Sequence, residues 1–229
     1  MACILNIETS TNVCSVAVAD EGHVVWNEED HEGPNHAVKL GVYVDQALSF
    51  VDNSGLELDA VAVSSGPGSY TGLRIGVSMA KGVCYGRGLK LLAVPTLEAM
   101  CVPLLLGDGD YDDALLCPML DARRMEVYAA IYDRALRQVV PTSAVVVDEN
   151  AFRETLDGRR VVFFGTGADK CRSVITHPNA LFVEGIEPLA KDMAPLATKR
   201  FFRGEHEDVA YFVPFYLKEF QAIKPTKLI

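Results

Sequence analysis

One order of hydrophobic patterns runs twice along this chain of 229 residues, and the repetition limits the fold more than any single segment does. In the first pass, residues 3–9, 13–19 and 23–27 read as short strands, and Asp20-Glu21-Gly22 turns the second into the third. Residues 36–51 follow with Leu40, Val44, Ala47, Leu48 and Val51 at helical spacing, stopped by Asn53-Ser54-Gly55. An apolar strand over 60–64, a glycine-rich turn, a helix over 71–85 and a strand over 90–94 complete the unit. In the second pass, 115–120, 125–132 and 138–147 read as strands, 149–156 as a helix, and 160–164 as a strand running into Gly165-Thr166-Gly167, with helical segments over 168–175 and 188–202. Each half carries a carboxylate where its first strand ends, Glu8 and Asp121. Hairpins followed by strand–helix–strand crossovers make mixed sheets flanked by helices, so the expectation is a two-lobed α/β protein with a cleft between lobes. The boundary is expected within 100–113, around Leu106-Gly107-Asp108-Gly109-Asp110-Tyr111, with a first lobe over 1–105 and a second lobe and C-terminal tail over 106–229.

Composition removes whole classes. With 49% hydrophobic and 23% charged residues, 18 Gly and 11 Pro, the chain is neither disordered nor collagen-like nor a coiled coil. Its apolar runs fall short of the roughly 18–20 residues of a membrane span. The first basic residue is Lys39, so a secretory or transit pattern is missing ahead of it and a cytoplasmic location is expected. Six cysteines stand without a C-x-x-C pair in mostly apolar surroundings, which points to buried free thiols. The formal charge is −10, divided as −7 over residues 1–100 (five basic, twelve acidic) and −3 over 101–229. Such a protein repels a phosphate backbone, so another subunit is expected to supply most of any basic surface that meets nucleic acid.

Two stretches could hold chemistry. Ser65-Gly66-Pro67-Gly68-Ser69-Tyr70-Thr71-Gly72-Leu73-Arg74 sets three glycines and a proline between a strand and a helix. Such a turn either seats an anion on exposed N–H groups at Gly66, Gly68, Ser69 and Thr71, or packs tightly while Ser69 or Thr71 caps the helix. The lysine of a Walker-type loop is missing. Glu8-Thr9-Ser10-Thr11 either holds hydrated magnesium or phosphate, or satisfies its own turn backbone. His31 and His36 flank Glu32-Gly33-Pro34-Asn35 and cannot share a helical face as metal ligands at i and i+4 do, so Pro34 or Asn35 is read as the helix start. Asp121-Ala122-Arg123-Arg124 with Glu126 is either a solvated hairpin end or a carboxylate–guanidinium pair facing the cleft. None of these makes a nucleophile with a base, so no catalytic residue and no metal ligand is assigned.

The helices carry a separate signal. Over 71–85, Leu73, Val77, Ala80 and Cys84 share one face, while Ile75, Met79 and Val83, with Gly76, Gly82 and Gly86, cover most of the rest. Arg74, Ser78, Lys81 and Tyr85 leave only a narrow polar stripe. Tyr43 and Phe50 widen the apolar arc of the 36–51 helix in the same way. One sheet covers about half of such a helix, so the remainder must meet something else. A partner subunit is expected against Leu40, Tyr43, Val44, Ala47 and Phe50 of one helix and Leu73, Arg74, Ile75, Val77, Met79 and Val83 of the other. The alternative is packing within the chain.

Ile4-Leu5-Asn6-Ile7-Glu8-Thr9-Ser10-Thr11, the string from Ser64 to Gly76 with its G-P-G-S-Y-T-G-L-R-I-G core, Val94-Pro95-Thr96-Leu97-Glu98-Ala99 and Leu120-Asp121-Ala122-Arg123-Arg124-Met125-Glu126-Val127-Tyr128 together resemble the bacterial TsaB (YeaZ) family. The likeness runs in register to Tyr128 and returns weakly at Pro214-Phe215-Tyr216-Leu217-Lys218. It implies an actin-like, Hsp70-like two-lobed fold of the ribonuclease H-like duplicated kind. It implies a noncatalytic subunit in making N6-threonylcarbamoyladenosine at tRNA position 37, bound to the related catalytic subunit TsaD, with the ATPase TsaE joining and tRNA met only through the complex. On this likeness the isolated chain forms a homodimer, and ATP and magnesium act in the complex but are held mainly by partners, this chain requiring no cofactor of its own. Glu8, Thr9, Ser10, Gly66, Gly68, Ser69 and Thr71 would be a vestigial nucleotide or anion site. The chain departs from TsaD in its histidine spacing and in Gly165-Thr166-Gly167-Ala168-Asp169, a poor nucleotide loop, and the peptidase label given to such sequences finds no support. The rival from another class is a small actin-like ATPase or kinase with its own Mg-nucleotide site at Glu8, Thr9 and the Gly66–Gly72 turn. Direct tRNA contact through Arg123, Arg124 or the six basic residues from Lys199 to Lys227 is a third reading.

Overall fold

The computed structural model describes residues 2–33, 35–109 and 111–218. Pro34 as a helix start, Asp110 of the boundary loop, and Lys224 and Lys227 of the basic set lie outside the described residues.

The repeated pattern folds into two five-stranded sheets of matching topology. In the first, β1 (Cys3–Glu8), β2 (Cys14–Asp20) and β3 (His23–Asp30) form an antiparallel meander, and β4 (Leu58–Ser64) and β5 (Lys90–Val94) run parallel to β1, in the order β3-β2-β1-β4-β5. In the second, β6 (Leu115–Asp121), β7 (Glu126–Tyr132) and β8 (Gln138–Val146) form the meander, and β9 (Val161–Phe164) and β10 (Ala180–Val183) add in parallel, in the order β10-β9-β6-β7-β8. Among the described residues six helices accompany them: α1 (His36–Ser54), α2 (Tyr70–Arg87), α3 (Thr96–Leu106), α4 (Arg153–Gly158), α5 (Ala168–Cys171) and α6 (Ala190–Arg203).

The layers follow from what each element buries. α1 and α2 cover the outer face of the first sheet through Leu40, Val44, Ala47, Val77 and Ala80 against Leu5, Val16, Val61 and Val63. On the inner face, Ala99 and Val102 of α3 and Met193, Leu196 and Ala197 of α6 pack against Ile4, Ala62 and Leu92. The other side of α3, with Leu97, Met100 and Leu104, packs on Leu116, Val162 and Phe164 of the second sheet. Phe163, with Phe152 edge-on to it and Phe182 stacked against it, anchors the far face of that sheet.

Four segments differ from the pattern-based reading. Residues 96–106 form a helix where only a boundary was expected, because a helix held between two sheets is apolar all round and shows no 3.6-residue period. The strand β10 is four residues long, too short to alternate visibly. The expected helices over 149–156 and 168–175 shrink to six and four residues. After the second sheet the chain returns: α6 lies on the first sheet, Glu207 N donates to Leu91 O, and Phe215 N donates to Ser65 O at 2.7 Å. The reading of 106–229 as one lobe counts these segments with the second sheet, whereas they pack on the first.

Candidate functional site: the strand-end turn and the outer helix face

The turn after β1 and the glycine-rich turn after β4 meet because β1 and β4 are parallel neighbours that end together. Glu8, Thr9 and Ser10 are all buried. Ser69 N donates to Ser10 O at 2.6 Å, Thr9 Oγ1 donates to Gly72 O at 2.8 Å, and the Ser69 hydroxyl caps α2 by accepting from Gly72 N at 3.2 Å. Side chains are excluded: a Cβ at Gly72 would overlap the Thr9 carbonyl oxygen, one at Gly76 the Thr9 hydroxyl, and one at Gly68 the Ser10 carbonyl oxygen. Gly66, at φ +100°, lies against Phe215 O, where a Cβ would come to 2.7 Å. Glycine here serves close backbone approach, and two donors at the start of α2 meet the chain's own oxygens, Ser69 N the Ser10 carbonyl and Gly72 N the Ser69 hydroxyl. Burial pushes the Glu8 carboxyl above its usual range, while the Ser10 N–H that donates to Oε1 pulls the other way.

The two histidines separate. His36 is buried with Nε2 2.7 Å from Thr11 O, whereas His31 sits half-exposed between Glu29 (3.1 Å) and Glu187 (3.0 Å). Those carboxylates raise its pKa, Glu29 first. In the second half, Lys170 Nζ donates to Asp121 Oδ1 and to the carbonyls of Arg124 and Glu126, and Thr166 Oγ1 accepts from Asp121 N at 3.2 Å. Arg123 and Arg124, both at positive φ, form the exposed hairpin end. The six cysteines are free and buried, and burial raises their thiols, Cys3 and Cys84 to about 11 and Cys14 to about 12.

The expected partner-facing residues divide cleanly. Leu40, Val44, Ala47, Leu73 and Val77 are buried in the core of their own lobe. Tyr43, Phe50, Ile75, Met79 and Val83 are half-buried, touching that core with one side, and Arg74 is exposed, its guanidinium 5.5 Å over the Tyr70 ring. Beyond them α1 and α2 present Val38, Val42 and Tyr85, which are 72%, 51% and 88% exposed. An open groove of about 950 Å³ runs along α2 between Tyr70 and Val83, lined by Ile75, Met79, Gly82 and Val83 among others. The helices meet where Gly41 faces Met79, and Arg87 clamps Asp52 with two bonds of 2.9 and 3.0 Å at their C-terminal ends. Pattern reading missed Val38 and Val42; a valine on the far side of a helix whose core face is already complete is the signal that could have found them. It also placed Lys81 and Tyr85 together in a polar stripe. Lys81 instead reaches under the C-terminal segment to donate to Ala210 O at 3.0 Å, leaving Tyr85 in solvent.

Two sheets of the same strand order, each flanked by helices, and a closed turn at the end of the first central strand define a two-lobed actin-like protein. A family model described as TsaD: tRNA N6-adenosine threonylcarbamoyltransferase matches residues 32–225. The tRNA threonylcarbamoyladenosine biosynthesis protein TsaB of Bacillus subtilis is 31% identical over 94% of this chain and 93% of its own length, and that of Escherichia coli is 31% identical over 94% of both. A crystal structure of a Pseudomonas aeruginosa protein with similarity to peptidase YEAZ aligns with a TM-score of 0.79 at 27% identity, covering 95% of this chain and all of that one. The chain belongs to the TsaB (YeaZ) family. Among the described residues, no helix is long and apolar enough to cross a membrane.

Proposed function

We propose that this protein is the noncatalytic partner subunit in making N6-threonylcarbamoyladenosine at tRNA position 37, and that the outer face of α1 and α2 docks TsaD. The observation that carries the reading is the open groove along α2, with Val38 and Val42 of α1 and Tyr85 of α2 also exposed to solvent. An apolar surface of this kind, with Arg74 and Ser78 among its lining, suits a helix-on-helix interface, and the open space at Gly82 lets a partner helix approach closely. The same face is self-complementary enough for a C2 homodimer when TsaD is absent. ATP, magnesium, TsaE and tRNA belong to the assembled complex in the cytoplasm, with the nucleotide held mainly by partners. The turn between Glu8 and Gly72 supports this division, because Ser69 N and Gly72 N are spent on Ser10 O and the Ser69 hydroxyl and its glycines lie in close contact with Thr9, Ser10 and Phe215.

Gly82→Arg tests the reading with little risk to folding, since nothing lies within 4 Å of the added Cβ and arginine favours a helix over glycine by about 1 kcal/mol. The variant keeps its thermal midpoint, fails to co-elute with TsaD, and fails to restore threonylcarbamoyladenosine in reconstituted reactions. Met79→Glu acts in the same direction. Undiminished co-elution of both variants would falsify the docking assignment.

A further inference from the structure

Beyond the inner face of the first sheet, α3, the β7–β8 turn and the C-terminal end of α6 enclose a concave site of about 510 Å³. In a chain of net charge −10, its lining is cationic: Arg137 comes from the turn and Lys199, Arg200 and Arg203 from α6, with Glu98 and Glu205 the carboxylates. The charges are unequally matched. Arg200 and Glu98 neutralise each other at 2.7 Å with side chains only 17% and 14% exposed. Arg137 spends Nε on Asp133 at 2.7 Å and lines the hollow, its terminal nitrogens in no ion pair among the described residues. Arg203 has only a loose 3.7 Å contact with Glu205, and Lys199 has no ion-pair partner among the described residues. Lys199 and Arg203 stand four residues apart on α6, a spacing at which like charges repel. The helix dipole explains cations in the last turn of α6. It does not explain Arg137 arriving from the other sheet to join them.

We propose that this hollow binds a small phosphate-type dianion, with Arg203 and Arg137 supplying guanidinium forks and Lys199 a point charge. Guanidinium nitrogens match phosphate oxygens in pairs, and a dianion removes the repulsion among three cations. The volume is that of an ordinary small-molecule site. Because Arg137 belongs to the second sheet and Lys199 and Arg203 to a helix packed on the first, the bound anion ties the two lobes together. A site lined by four cations and two carboxylates is too small to hold an RNA backbone against the charge of the whole protein. The proposal is independent of the docking face.

Titration of the full chain with inorganic pyrophosphate at constant ionic strength tests it. Saturable heat and a raised thermal midpoint are expected, with affinity falling at least about tenfold in Arg203→Gln and again in Lys199→Gln. Both side chains are exposed, so the unliganded midpoint stays unchanged, and Arg153→Gln on the distant α4 leaves binding intact. Sodium chloride in place of pyrophosphate gives no saturable signal. Absence of saturation, or saturation indifferent to Arg203 and Lys199, overturns the site. Salt-dependent tRNA binding that needs these residues while pyrophosphate binds nowhere overturns it as well, in favour of a nucleic-acid contact.

Discussion

The two halves share a strand order and part company at the ends of their central strands. In the first, Glu8 is buried and the following turn is pressed against Gly68, Gly72 and Gly76; in the second, Asp121 is half-exposed and tied by Lys170 to a hairpin end bearing Arg123 and Arg124. The helices after them diverge in the same sense: α1 and α2 run 19 and 18 residues, α4 and α5 only six and four. Long helices bury one face on the sheet and leave another in solvent. Single turns have no face to spare, and Phe152, Phe163 and Phe182 fill the space beneath them. One topology thus supplies a half with an exposed apolar helix face and a half whose end stays polar.

The contrast breaks most decisively at Gly72. Gly72→Ala forces a methyl into the Thr9 carbonyl, where backbone on both sides cannot yield, and costs about 3 kcal/mol in urea unfolding. A cost below about 1 kcal/mol means that the two turns are not packed as described. Lys170→Ala strips three acceptors at the second turn at once and costs about 1–2 kcal/mol, with faster amide exchange at Arg123 and Arg124 and none of the disturbance reaching α2. The smallest effect has the opposite sign and sits where α6 crosses back to the first sheet. Burial pushes Asp192 up to about 6, with Glu29 adding to the rise and Lys191 opposing it. A folded pKa above the unfolded value means that the carboxyl stabilises fully at low pH and loses this contribution as pH rises through about 6. Asp192→Asn therefore stabilises by about 1 kcal/mol at pH 8, and the gain disappears near pH 4. A gain that persists at pH 4 would assign the effect to something other than the buried charge.

Much of the fold was legible because local periods and turn residues repeat. The meanders, β4, β5, β9 and the long α1 and α2 all lie where alternation and helical spacing place them. What escaped has a common physical origin. α3 lost its period by being buried on both sides, and β10 is too brief to show one. Among the site residues, an apolar arc wider than one sheet could cover pointed to the half-buried and exposed apolar side chains of α1 and α2. It could not separate Leu40, Val44, Ala47, Leu73 and Val77, which face inward, from Val38 and Val42, which do not, because the azimuth of a helix on its sheet is set by packing.

The order of elements, the duplication and the family were written in the residues, since these depend on neighbours a few positions apart and on motifs such as Ser64–Gly76. Whether the glycine turn would be an open anion seat or a closed joint depended on Thr9, Ser10 and Phe215 arriving from distant parts of the chain. The gathering of Arg137 with Lys199 and Arg203 likewise needed α6 to cross from one sheet to the other. Contacts between residues sixty or more positions apart are made by the packed layers, and no local pattern encodes them.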